Sequence, residues 1–294
     1  MDRADVVSRE GLGPRLWRRL LRYPTANLVV NLTMREISSQ YKRTMLGRVW
    51  SLVNPLATIA TFSVIFGLFF GQRIAPGANS GLTSYALYVA CGIIPWGFIS
   101  TGIMTAMGAL TDNSGLLSKV YFPRHALVTS AVLSQSWTFL TELGMLMIVM
   151  AIAGGPRVLL YIPLLLVVVV INIAFVLGVG LVLSVLVVYF RDVKHIWALF
   201  TQIWFYASGI VFTIGVVAAG AKTLAERGFG WVPLLPIFEA NPAYQFISAY
   251  RALLFEFTVP GWATWGQILL AATISMALGV LVFTKFQARI VEEL

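Results

Sequence analysis

MREISSQYKRTMLGRVWSLVNPL, residues 34 to 56, holds the change of pattern that decides the fold. Val30, Met34, Ile37, Tyr41 and Met45 recur at steps of three and four, which predicts a helix with one apolar face. Arg35, Glu36, Ser38, Ser39, Lys42 and Arg43 fill the rest of its surface. A helix so charged does not span a bilayer, but it can lie in the headgroup plane with its basic side chains against anionic lipid. The competing reading is a plain juxtamembrane segment whose Arg and Lys only mark topology. Gly47 interrupts the pattern, and an apolar run begins at Val49 and continues through Trp50. The chain is expected to lie along the membrane, turn, and enter it.

Composition agrees. Of 294 residues, 59% are hydrophobic and 11% charged, where a soluble domain carries about 25% charged residues. The predicted class is an all-α polytopic membrane protein. The net charge of +9 does not point to nucleic acid, because ten of the 21 Lys and Arg fall within the first 48 residues and read as a topology signal. Cys91 is the only cysteine, which excludes an intramolecular disulfide and a Cys-rich metal site. No cleavable signal peptide is expected, since the first 22 residues contain no apolar core.

Six spans are predicted, at about Trp50–Gly71, Ser84–Leu110, Ala126–Ala153, Leu159–Val188, Trp197–Val217 and Ala263–Thr284, with a kink at Pro95. The expected organisation is a basic cytosolic segment over 1–26, an interfacial helix over 27–48 and a six-span domain over 49–294. With the N-terminus inside, 16 Lys and Arg lie on the cytoplasmic side and five outside, so both termini are expected in the cytoplasm. The stretch 218–261 is too apolar for a free loop, yet prolines break its first half. Two short half-helices re-entering the bundle fit it, the second starting at Asn241-Pro242; a hairpin resting on the outer leaflet is the alternative.

Two cytosolic intervals stand out. In NSGLLSKVYFPRH a brief helix over Leu116–Val120 is expected, with Phe122-Pro123 turning the chain. YFRDVKH offers Arg191 and Asp192 at a helix end. Short helices with an apolar ridge and flanking charges suit a groove on a soluble partner, although plain loops carrying topology charges would look the same.

These residues, in order, resemble the permeases of ABC-2 type polysaccharide exporters. The similarity runs through QYKRTMLGRVWSLVNPL, GIIPWGFIS, LLSKVYFPRHAL, VYFRDVKHIWALFTQIWFYASGIVF and NPAYQFISAYRALLF, from about Asn27 onward. The resemblance implies two copies of a six-span subunit forming a channel in the bacterial inner membrane, each docked on a separate ABC ATPase that holds the ATP and magnesium. It implies a polyprenyl-diphosphate-linked cargo of the O-antigen, teichoic acid, capsule or mycobacterial galactan type. By position, it assigns Leu116, Leu117, Lys119, Val120, Tyr121, Phe122, Pro123 and Arg124, with Arg191 and Asp192, to ATPase coupling. Arg35 to Gly47, with Tyr41, Lys42 and Arg43, match the interface helix that leads to Trp50. Asn241, Pro242, Tyr250 and Arg251 match an outer gate. Many relatives have proline where Gly209-Ile210 stands, so the fifth span is expected to bend differently here.

The chain itself carries no GxxxxGK[ST] phosphate loop, so no nucleotide or other cofactor is expected in it. His125 and His195, the only histidines, sit beside basic residues with no acid cluster, and no GxSxG occurs. These gaps argue against a stand-alone polyprenol-linked transferase, while a drug or lipid exporter of the same fold remains the nearer alternative. Glu142 is the only charged residue inside the six spans and forms a polar stripe with Gln135 and Thr138. Intramembrane acids are functional by default, against which stands a simple interhelical hydrogen bond. Tyr85, Tyr88, Trp96, Phe98, Trp137, Phe139, Trp204 and Tyr206 are candidates to stack on sugar rings, or members of an interfacial belt. In the headgroup plane, Arg35, Lys42 and Arg43 could hold a diphosphate through charge-assisted hydrogen bonds.

Overall fold

A computed structural model describes residues 24–40, 50–69, 71, 74–117, 122–229, 231 and 233–287. Every regular element among them is helical. Helix α1 (Pro24–Gln40) precedes α2 (Trp50–Phe62), which continues as π-helical turns over Ser63–Phe69. Then come α3 (Tyr85–Gly108), the one-turn α4 (Ser114–Leu117), α5 (His125–Gly154) and α6 (Ile162–Tyr189), the last led in by a 3-10 turn over Pro156–Tyr161. Helices α7 (Val193–Ala207), α8 (Ile214–Leu224), α9 (Leu234–Glu239), α10 (Pro242–Arg251) and α11 (Trp262–Phe286) complete the chain.

Among the described residues, five helical stretches are long and apolar enough to cross a membrane: Leu52–Phe69, Tyr85–Gly108, His125–Gly154, Pro156–Tyr189 and Trp262–Phe286. They match the first, second, third, fourth and sixth predicted spans. The expected fifth, Trp197–Val217, is not one helix. It divides into α7 and α8 at Ser208–Thr213. The 15 residues of α7 reach about 22 Å, short of the ~30 Å hydrocarbon core. Hydropathy averages over such a break; a single left-handed residue, Gly209 at φ +64°, makes it.

The most apolar stretch, Pro156–Tyr189, forms the centre, because a helix that is apolar all round is satisfied only when covered on several sides. Its longest contact is with α11. There Gly178 and Gly279 face each other: a Cβ on Gly178 would collide with the backbone of Ser275 and Met276, and one on Gly279 with the carbonyl of Gly178. Small residues let the two backbones approach, which is how helices associate where lipid competes for apolar surface. Helix α3 packs against α5, α6 and α10, and Pro95 is accommodated inside it. Helix α1 lies against α5 and buries Leu32 and Ile37, leaving Val30 and Met34 exposed. Its expected apolar stripe is therefore shared between the bundle and the surroundings. Helix α2 differs from all of these, for none of its described residues is buried.

Of the two expected half-helices, the second begins where NPAY places it. Asn241 caps α10, its side chain accepting from the Ala243 amide at 3.0 Å. Ala243, Phe246, Ile247, Ala249, Tyr250 and Arg251 are buried, so α10 sits inside the bundle rather than on its surface.

Candidate translocation site

The break in the fifth span leaves carbonyls without intrahelical partners. Three side chains from two other elements, α10 with its cap and α3, supply the missing donors. Asn241 Nδ2 donates to Ala207 O at 2.9 Å, Arg251 Nη1 to Gly209 O at 2.7 Å, Arg251 Nη2 to Ile210 O at 2.6 Å, and Tyr85 Oη to Val211 O at 2.6 Å. Arg251 is 7% exposed. Its charge is balanced by this helix C-terminus and by the face of Tyr88, whose ring centre lies 3.8 Å from the guanidinium carbon. Gly92 makes the room, since a Cβ there would meet Arg251 Nη2 at 2.9 Å. Trp204 Nε1 donates to Asn241 Oδ1 at 2.8 Å, and Asn172 Nδ2 to Tyr250 Oη at 3.3 Å. The four gate residues of the sequence reading thus fall on one element and three of them fasten it. Tyr85, Tyr88 and Trp204, expected along a channel, belong to this knot.

A cavity of about 410 Å³ opens between α2, α3 and α5, with Phe205 of α7 at its edge. Gln135, Thr138 and Glu142 line it together, the helical spacing on α5 turning all three to one side. Asn54, Thr58 and Thr101 add polar groups, and Trp96, Phe98 and Phe139 add aromatic surface. Phe98 and Phe139 stack with ring centres 4.6 Å apart, and Trp96 meets Trp204 edge-on at 5.4 Å. Among the described residues, no Lys or Arg lines it. Trp137 is exposed and Tyr206 borders a separate apolar cavity of about 710 Å³ walled by α7 to α10, so neither lines the polar one.

At the far end of α3 the two intervals expected in the cytosol meet. Lys194 Nζ lies 3.2 Å from Asp112 Oδ1 and 3.1 Å from Thr111 Oγ1, joining the start of α7 to the end of α3. Arg35 Nη2 donates to Asn113 Oδ1 at 2.8 Å, so this cation of α1 is engaged by the segment leading into α4. The brief helix there spans Ser114–Leu117; Leu117 is buried, and Leu116 and Phe122 pack against the core. The apolar ridge expected to face a partner is partly spent inside the subunit. Pro123, Arg191 and Asp192 are exposed and Arg124 half-exposed; Trp50 starts α2, also exposed. Lys119, Val120 and Tyr121, like Tyr41, Lys42, Arg43 and Gly47, lie outside the described residues.

Sequence reasoning passed over Lys194, Asp112 and Asn172. Asn172 carried a signal, being a lone amide in an apolar run; Lys194 and Asp112 are unremarkable until the fold brings them together.

A helical bundle with several membrane-length helices, a broken span pinned by a re-entrant helix and a polar cavity in its middle defines a multi-pass membrane protein of the transporter kind. The chain matches the ABC-2 type transporter family over residues 27–226 and belongs to it. It is similar to the O-antigen export system permease protein RfbA of Myxococcus xanthus, 27% identical over 84% of this chain and 86% of that one. A protein of the same name from Klebsiella pneumoniae is 23% identical over 90% of this chain and 94% of its own length.

Proposed function

We propose that this protein is the permease subunit of an ATP-driven exporter that moves a polyprenyl-diphosphate-linked cell-envelope polysaccharide outward across the bacterial inner membrane. Two copies form the channel, and each docks through its cytosolic intervals on a separate ABC ATPase. The observation that carries the reading is the cavity between α2, α3 and α5: amides, hydroxyls and one carboxyl beside indole and phenyl faces, with no cation. Sugars need that combination, hydrogen bonds at the ring edge and apolar surface against the ring face. A drug or phospholipid exporter has less use for it. The relatives named for O-antigen export support the same cargo class. O-antigen, teichoic acid and galactan chains share this chemistry, and both termini on the ATPase side agree with the distribution of Lys and Arg.

The test is export by inside-out vesicles holding the permease with its ATPase and a lipid-linked glycan. ATP should enclose the glycan. Gln135→Leu with Thr138→Val should lower glycan-stimulated ATP hydrolysis and export about tenfold, the equivalent of one lost hydrogen bond. ATP-driven movement of phospholipid or drug with no glycan enclosed would transfer the chain to the other branch of its family.

A further inference from the structure

Beside the polar cavity lies a smaller one of about 110 Å³, and Glu142 is the only polar side chain in its lining. Leu52, Leu56 and Ile59 of α2 form one wall, Met145 and Val149 of α5 a second, and Leu87 and Ala90 of α3 a third. The two cavities share Pro55, Ile94 and Glu142, so Glu142 stands at their junction. It is half-buried, and among the described residues it makes no hydrogen bond to protein. Among the described residues neither cavity has a Lys or Arg in its lining.

Three constraints follow for whatever sits at this junction. It must offer hydroxyl or amide hydrogens to the carboxyl, since a ligand that covers this half-buried acceptor has to replace the water hydrogen bonds it displaces. It must place apolar surface in the small crevice. It must not bring a phosphate close, because the site has a carboxyl and no counter-charge. The crevice is about a quarter of the size of the polar cavity, suited to a short group rather than to a long chain.

We infer that the two cavities form one subsite for an uncharged sugar bearing a short apolar substituent, an alkyl or acyl group, with Glu142 accepting hydrogen bonds from the sugar. The polar cavity holds the ring and the crevice holds the substituent. The carrier's diphosphate is excluded. This rests on the glycan-export reading and narrows it to glycans with apolar decoration.

The experiment is photolabelling of the permease–ATPase complex in phospholipid nanodiscs. Three diazirine probes are compared: galactose carrying a four-carbon acyl group, galactose carrying a twelve-carbon alkyl chain, and farnesyl diphosphate. The short acyl galactose should label Met145, Val149 or Leu56, and unlabelled short acyl galactose should compete. Glu142→Leu should lower that labelling about tenfold, as should Met145→Trp, which fills the crevice without touching the polar cavity. Farnesyl diphosphate should label these positions at least tenfold less than the short probe, and Glu142→Gln should narrow that gap. Labelling by the long-chain probe alone would make the crevice a lipid-filled groove and overturn the inference. Equal labelling by farnesyl diphosphate, or labelling indifferent to both Glu142→Leu and Met145→Trp, would overturn it as well. A complex that exports glycan but fails these tests loses only this subsite. One that passes them but exports no glycan loses the function proposed above.

Discussion

Arg251 and Glu142 are the two charged side chains set inside the bundle around α3, and the structure treats them in opposite ways. Arg251 is enclosed, donates to two carbonyls and covers a tyrosine ring. Glu142 is half-buried and has no protein partner among the described residues. The surroundings differ in the same sense. Around Arg251 the chain is knotted: Asn79 donates to Phe257 O and Glu256 O, Tyr161 to Phe257 O, and Ser80 to Phe255 O. Around Glu142 one wall is α2, which buries none of its described residues. A charge that is enclosed and tied to backbone carbonyls builds the fold; one that is half-buried and without a protein partner is available to a ligand. Location within the membrane domain alone would not have told the two apart.

The comparison is broken most directly at Arg251. Arg251→Leu removes two hydrogen bonds to a charged donor, each worth about 1.5 to 3 kcal/mol, and orphans two buried carbonyls. A fall in stability of about 3 to 6 kcal/mol is expected in the thermal unfolding of the purified protein. Cys91, the only cysteine and fully buried next to Gly92, provides a second readout. Its alkylation by a maleimide should become fast. Slow alkylation and unchanged unfolding in Arg251→Leu would mean that the knot is incidental.

A smaller effect is expected at the α6–α11 crossing. Gly178→Val forces two backbones apart and should cost about 1 to 3 kcal/mol by the same unfolding measurement. Neutral behaviour would show that this pair tolerates the looser spacing seen at α2. The smallest effect belongs to the loose side. Thr58→Val in α2 should change stability by no more than about 0.5 kcal/mol, since its hydroxyl only returns to the Asn54 carbonyl of its own helix. A loss above about 1 kcal/mol would place α2 among the fixed elements and erase the contrast.

Much of this was legible beforehand. Span positions followed from hydropathy because a helix in lipid must be apolar over its full length, and the start of α10 followed from Asn-Pro because both residues act locally on the backbone. The polar stripe of Gln135, Thr138 and Glu142 was visible for the same reason: helical periodicity decides which side chains share a face. Not legible were contacts that depend on distant partners. Tyr85, Tyr88 and Trp204 read as channel or belt aromatics, and their contacts with Val211, Arg251 and Asn241 came only with the fold. Nothing near Arg35 in the sequence announced its hydrogen bond to Asn113.

By itself the sequence determined the class, the helical order, five of the membrane-length helices and the residues on each face, all of which are properties of local chain and solvent. Only the tertiary structure decided that the fifth span is broken and held open by Arg251, and that Glu142 is left unpartnered at the meeting of a polar and an apolar cavity. Hydrogen bonds between residues forty or more apart, and the empty space between helices, depend on how whole elements pack, and no window along the chain contains that information.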